Sequence, residues 1–404
     1  MATKIAFLLG AGISIPAGLP STSEITSRIL LGDGVIHHTD GTYYFAEQNV
    51  DGAHTFDIPA RRAALLLNRL LLEINKFYLF EIIPHTANYE DLYYIVNQIL
   101  DSEAGEFENP IIGSFLDNLS ADITRIGQYS RQIQELWDFY QLFNETENYM
   151  RDVIWRMLLR DVTQTDYLKH ICDSCLDDEV ESVDIFTLNH DTLLESYFNK
   201  TGITYNDGFG QPIQGVRYWH PSILENSDTK VRLLKLHGSI SWFSFPPNEH
   251  SFGSSAVGIP SDWDIWHTVN PAGERQYPQG GRPVFLAGTF NKMLQYTRDL
   301  YADLHFLFRQ SLRTVDWLII CGYGFGDKGI NSQIVEWMSQ SMYKHLTIIH
   351  QEPKFLKRNA RGAIKRNWED WSDQGRLSCV EAYIENTTWQ EIKGNSKLKN
   401  RSGS

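Results

Sequence analysis

Ile5-Ala6-Phe7-Leu8-Leu9-Gly10-Ala11-Gly12-Ile13-Ser14-Ile15-Pro16-Ala17-Gly18-Leu19-Pro20 is the stretch that decides the fold. Five apolar residues run without alternation into a glycine. Such a run marks a strand buried on both faces, as in parallel sheets covered by helices. Glycines at 10 and 12 let backbone N–H groups come close to an anionic ligand such as a pyrophosphate. A tight strand-to-helix turn with no ligand is the plainer account of a bare G-x-G. The spacing is not G-x-G-x-x-G, because position 15 is Ile, and Pro16 and Pro20 delay the next helix; both features argue against a dehydrogenase turn. Ser21 or Ser23 then offers an N-cap, with Glu24 behind it, for a helix to about Leu31.

Working outward, further apolar runs stand at Val183–Leu188, Val231–Leu236, Val284–Leu286, Val315–Cys321 and His345–Ile349. Helical patterns lie between them at Thr192–Asn199, Asn291–Leu312 and Asp327–Tyr343. Strands alternating with helices predict an α/β fold with a doubly wound, Rossmann-like parallel sheet. Residues 32–182 read as a large inserted helical domain, with helices over Pro59–Phe80, Tyr89–Leu100 and much of Ile111–Leu176, and a hairpin before them. The expected plan is a core of residues 1–31 and 183–351 split by that insertion, then an extension over 352–404. Ser241–Arg282, rich in Trp, Pro, Gly and Ser, reads as an irregular excursion.

Ligands of open parallel sheets bind beyond the carboxyl ends of the strands. The second strand is followed by Thr187-Leu188-Asn189-His190-Asp191, where Asn189 and Asp191 meet the next helix; simple capping is the plain account. The third is followed by His237-Gly238-Ser239. An imidazole there suits a general base near neutral pH, against the alternative of a satisfied core histidine in a chain with 13 of them. Cys321-Gly322-Tyr323-Gly324-Phe325-Gly326-Asp327 follows a later strand, with Asp327 as a helix cap and Asn331 one turn on. His350 and Gln351, after the last strand, are placed to touch an adenine or ribose.

The 404 residues are 42% hydrophobic and 13% aromatic, which suits a packed globular chain of one principal domain with insertions, or two domains. A net charge of −14 argues against nonspecific nucleic-acid binding through a broad basic surface, and leaves room for one local basic groove, which Lys354–Arg366 is basic enough to hold. The basic stretch Lys354–Arg366 reads as a solvated helix face. Cys172 and Cys175 form a lone C-x-x-C with no second pair, so no zinc or other metal is expected, and the four cysteines read as reduced thiols. The N-terminus reads as a core strand and not a signal peptide, and no apolar run reaches membrane-spanning length; the expectation is a cytoplasmic protein without membrane contact.

The ordered set GAGISIPAGLP, TLNHD, LHGS and GYGFGD resembles the sirtuin superfamily, in its bacterial sirtuin-like branch. The resemblance spans about Lys4 to Gln351. It implies that NAD is bound as substrate. Gly10, Ala11, Gly12, Ser14, Gly18 and Pro20 would lie on the diphosphate and adenosine side. Asn189 and Asp191, beside Thr187, would hold the nicotinamide ribose and carboxamide. His237, followed by Gly238, would be catalytic. Gly322, Gly324, Asp327 and His350 would support the adenosine half. Ser21-Thr22-Ser23 stands where the family's deacetylases carry Asp-Phe-Arg, and their four-cysteine zinc ribbon cannot be built here. Both departures turn the expectation from protein deacylation to hydrolysis of NAD into nicotinamide and ADP-ribose, used in anti-phage defence by NAD depletion. The alternatives are an NAD- or ADP-ribose-sensing module without chemistry, and an NAD-dependent deacylase. Control by homo-oligomer assembly, or by a partner such as an ATPase, is expected by the same analogy.

Overall fold

The computed structural model describes residues 3–48, 57–78, 86–106, 109–129, 136–225, 228–248, 255–261 and 265–396. Its central element is a six-stranded sheet of β1 (Thr3–Leu9), β2 (Val180–Thr187), β3 (Val231–Lys235), β4 (Trp317–Cys321), β5 (His345–Ile349) and β6 (Leu377–Val380). Their order is β3-β2-β1-β4-β5-β6, and every neighbouring pair is parallel. This is the doubly wound α/β order, with the topological switch between β1 and β4. The expected fold class is therefore the one observed.

Apolar runs form these strands because both faces are covered. Ile5, Phe7 and Leu9 enter one core with Trp317 and Ile319, together with the helices Lys169–Leu176 and Leu193–Thr201. Ala6 and Leu8 enter the other with Leu318 and Ile320, against helices Asp299–Thr314 and Lys328–Gln340. The register aligns the carboxyl ends. Leu9 lies beside Thr187 on one side and Cys321 on the other, Thr187 beside Lys235, and Cys321 beside Ile349. The motifs that follow these strands thus leave from one row, which at the usual strand spacing is about 20 Å long.

Three stretches depart from the sequence reading. Val284–Leu286 was expected in the central sheet; instead Pro283–Phe285 pairs antiparallel with Gly238–Phe245 in a separate four-stranded sheet. That sheet also takes Val216–Tyr218 and Ala256–Pro260, so the stretch expected to be irregular carries strands. The physical reason lies in Trp242, Phe243 and Phe245, aromatic residues that suit a pleated, buried surface. Beyond His350, Leu377–Val380 supplies an edge strand whose mixed polarity hides it from a search for apolar runs.

The chain divides into two compact units. The first comprises residues 1–19, 161–286 and 293–404 and holds the sheet; the second comprises 20–160 and 287–292. Helix Thr22–Leu31 groups with the second, and helix Lys169–Leu176 with the first. Among its described residues the second unit has helices and one hairpin, Val35–His37 with Tyr43–Phe45. Helix Ile58–Tyr78 buries Ala60, Ala63, Leu67, Leu70 and Ile74, a stripe at helical spacing. In helix Phe139–Leu158, Tyr149 donates its hydroxyl to the Ile29 carbonyl at 2.8 Å and Asp152 accepts from the Tyr43 amide at 2.9 Å, tying helices and hairpin into one core.

Candidate active site at the carboxyl edge of the sheet

The two glycine loops are joined backbone to backbone. Gly10 N donates to Cys321 O and Gly12 N to Gly322 O, both at 3.0 Å. A Cβ on Gly10 would stand 2.6 Å from Gly322 O, and one on Gly12 would stand 2.7 Å from Gly322 Cα. Gly322 itself has φ +68°, and its Cβ would meet Ile13 N at 2.6 Å. Close loop packing therefore accounts for these three glycines before any ligand is considered. Gly324 differs: apart from its own chain neighbours, no heavy atom of the described residues lies within 4 Å of where its Cβ would be. Ala11 is exposed at the start of the 3-10 turn Ala11–Ile13, and Gly18 takes φ +88° beside Thr163. Pro20 falls in the helical unit.

Ser14, Asn189 and Asp191 form one buried network. Asn189 Nδ2 donates to Gly10 O at 3.1 Å and to Ser14 Oγ at 2.9 Å; Ser14 Oγ donates to Asp191 Oδ2 at 2.8 Å. Thr187 Oγ1 accepts from Asn189 N at 3.1 Å, which fixes the backbone as the strand ends. Asp191 Oδ1 accepts from Leu193 N at 3.1 Å, but the N-cap of helix Leu193–Thr201 is Thr192, which makes no side-chain cap bond, so Asp191 meets the first helical amide from one residue before the cap position. Asn189 is 7% exposed, and its Oδ1 accepts no hydrogen bond among the described residues.

Two charged residues that the sequence reading did not single out brace this network. Lys235, the last residue of β3, donates to the Asp191 carbonyl and pairs with Glu195 Oε1 at 2.9 Å. Burial pushes the Glu195 carboxyl above its ordinary value, and Lys235 offsets part of that. The available signal was a lysine directly after Leu233 and Leu234 at the end of the strand Val231-Arg232-Leu233-Leu234-Lys235.

His237 sits where β3 gives way to the antiparallel sheet. Its carbonyl accepts from Leu286 N at 2.8 Å, and Gly238 turns the chain with φ +81°, where a Cβ would strike Val284 O at 2.4 Å. His237 is buried, 4% exposed, and its Nε2 lies 2.8 Å from Tyr296 Oη and 3.4 Å from Asp327 Oδ2. Tyr296 donates to Asp327 Oδ2 at 2.5 Å, and Ile330 N donates to Asp327 Oδ1 at 3.0 Å. Burial alone would raise the Asp327 carboxyl; bonds from His237, Tyr296 and the Ile330 amide outweigh it and hold the group well below the usual carboxylate range. Asp327, expected with the adenosine half, stands beside His237 and caps its helix. The His190 ring is 6.4 Å from that of His237, and His190 O accepts from Ile240 N at 2.9 Å, so the Asn189 loop and His237 are neighbours.

Tyr296 and His305 had no sequence signal beyond residue type. Their rings stack at 3.6 Å, and burial, with His237 nearby, pushes the His305 imidazole down to about 3. At the end of β5, half-buried His350 accepts from Glu352 N at 2.9 Å, and burial lowers its pKa. Gln351 is exposed. The sheet edge thus gathers the first loop, Asn189, Asp191, His237 and the late glycine loop, with His350 at the adjoining strand end.

Residues 183–372 match the model of the SIR2-like domain. The SIR2-like stretch begins in β2 and contains Asn189, Asp191, His237, Asp327 and His350, while the first glycine loop and Ser14 lie outside it. It supports the sirtuin resemblance of the motifs. Among solved structures, a Sir2 homologue with a histidine-to-asparagine substitution, described as an ADP-ribose complex, aligns at 10% identity and TM-score 0.38 over 98% of this chain and 92% of its own. A Sir2 homologue described as an NAD complex aligns at 10% identity and TM-score 0.38, over 98% and 90%. Among curated proteins none matches. Within the described residues, no group of three His, Cys, Asp or Glu side chains could hold a metal ion, and no helix is long and apolar enough to cross a membrane.

Proposed function

We propose that the SIR2-like core binds NAD as substrate and hydrolyses its nicotinamide–ribose bond. Water is consumed, and nicotinamide, ADP-ribose and a proton are released. The observation that carries this reading is the Asn189 carboxamide. Both of its amide protons are engaged by Gly10 and Ser14, which leaves Oδ1 as a buried acceptor in need of a donor. A ribose hydroxyl or the attacking water supplies that donor.

The other roles follow from charge. Nicotinamide leaves as a neutral molecule from a cationic bond, so its departure needs little acid assistance and leaves an oxocarbenium-like centre. The buried Asp191 carboxylate, held by Ser14 and Leu193, stabilises that developing charge. His237 accepts a proton from water or a ribose hydroxyl. Gly324, with open space beside it, lets the late loop approach the adenosine half. The burial of His237 favours a second reading, an NAD- or ADP-ribose-sensing module without chemistry.

A constitutive NAD hydrolase would be toxic, which fits an anti-phage role held in check by assembly. Leu72, Phe77 and Ile111 of the helical unit are exposed apolar side chains that a second copy or a partner protein such as an ATPase would cover. Four free thiols suit the reducing cytoplasm. The deciding experiment incubates the protein with NAD and measures nicotinamide and ADP-ribose. Release by the wild type and loss in both Asn189→Ala and His237→Ala is expected. Binding of NAD without release selects the sensing module, and release that depends on an acylated peptide selects the deacylase.

A further inference from the structure

Tyr296 occupies a place built for its ring. His305 stacks on one side at 3.6 Å with the planes 22° apart. On helix Lys328–Gln340, Gly329 leaves room that any side chain would fill: a Cβ there would stand 2.7 Å from Tyr296 Cε2. The hydroxyl so placed reaches Asp327 Oδ2 at 2.5 Å and His237 Nε2 at 2.8 Å. Asp327 is itself braced, since its amide donates to Tyr323 Oη at 3.2 Å, Tyr323 donates to Asn331 Oδ1 at 2.8 Å, and Asn331 Nδ2 donates to Phe325 O at 2.9 Å.

The donor count settles the direction of these bonds. An ionised carboxylate only accepts, and a phenol has one proton. With that proton directed to Asp327, the Tyr296 oxygen must accept, so His237 Nε2 must be the donor. We propose that Tyr296 and Asp327 are positioning residues for His237, fixing its neutral ring as the Nε2–H tautomer with the basic lone pair on Nδ1. The inference rests on the reading of His237 as the base, and it names the atom that acts. It parallels the carboxylate–imidazole pair of hydrolytic triads, with a tyrosine interposed. The titratable groups facing His237 among the described residues include Tyr296, Asp327, His305 and His190; His305 is kept neutral by burial, and Asp327 supplies a negative charge.

The test uses the full-length protein labelled with 15N-histidine, with His237→Ala assigning the resonance. Wild type should show the Nε2–H tautomer. In Asp327→Asn the amide can donate to the Tyr296 oxygen, whose proton then turns to Nε2, so the tautomer should invert to Nδ1–H. An Asn still caps the helix, which preserves the fold. The pKa of the His237 imidazolium should fall in that variant, because a neighbouring anion is gone. If NAD is hydrolysed, kcat should drop about 10²-fold with KM little changed, and the acid limb of the pH profile should move to lower pH. Tyr296→Phe should be milder, since Asp327 Oδ2 already lies 3.4 Å from Nε2. An Nδ1–H tautomer in the wild type, or an unchanged tautomer in Asp327→Asn, overturns the proposal. Predicted tautomers without nicotinamide release sink the hydrolase reading alone.

Discussion

Gly12 and Gly322 touch through their backbones: the Gly12 amide donates to the Gly322 carbonyl at 3.0 Å, and a Cβ on Gly12 would stand 2.7 Å from Gly322 Cα. This contact joins the loops that follow β1 and β4, the two strands flanking the switch point. Gly322→Ala should therefore cost about 2–4 kcal/mol, from a left-handed φ and a backbone clash together. Gly324→Ala meets open space and should leave the thermal midpoint near that of the wild type while weakening NAD binding. Equal midpoints for both variants would show that the loops are not packed as described.

Ser14 is shared between Asn189 and Asp191. In Ser14→Ala, Asn189 Nδ2 keeps only Gly10 O, and Asp191 Oδ2 loses its donor. The expected loss is about 1–3 kcal/mol of stability, with a fall in kcat larger than any rise in KM. A rise in KM alone would make Ser14 a simple binding contact.

Lys235 neutralises a buried carboxylate. Replacing it with Met leaves Glu195 without its partner and frees the Asp191 carbonyl, at a cost of about 3–5 kcal/mol at pH 7.5. Burial already raises the Glu195 pKa, so the orphaned group should take up a proton as the pH falls. Urea denaturation should show the deficit shrinking toward pH 5; a deficit independent of pH would contradict an ionised Glu195 as its source.

Two buried histidines make the fold acid-sensitive. Burial pushes His170 down to about 4, and burial with the nearby His237 pushes His305 down to about 3. Both fall below an unfolded value near 6.5, so between these limits the unfolded chain binds more protons and stability rises with pH. Acidification from about pH 6.5 should then erode stability by up to about 1.4 kcal/mol per pH unit for each group, levelling off below the folded values. Denaturation midpoints from pH 7.5 to 4.5 read the slope, and His305→Gln should reduce it.

The carboxyl-edge motifs were visible in the sequence because each follows an apolar run into glycine, Asn, Asp or His. Asn189, Asp191 and His237 could be proposed together because strand ends in a parallel sheet face one way. Tyr296, His305, Lys235 and Glu195 could not. His305, Lys235 and Glu195 lie on elements whose patterns report only helix or strand, Tyr296 lies in a turn that splits the expected helix Asn291–Leu312 into Asn291–Gln295 and Asp299–Thr314, and their roles come from partners outside their own elements. Asp327 shows the same limit at one residue: capping was legible from its place before a helix, but the contact with His237 was not. Val284–Leu286 misled because three apolar residues satisfy either sheet, and pairing direction is not a local property.

Apolar runs, glycine placement and alternation with helices were enough, read alone, to determine a doubly wound α/β core and to place its candidate site at one edge. They work because burial on two faces imposes a composition that needs no knowledge of the partner strand. The tertiary structure alone decided which glycines serve packing, which acceptor stays unmet on Asn189, and which side chains surround His237. Those depend on distances between segments far apart in sequence, and hydrogen bonds are selective over tenths of an ångström.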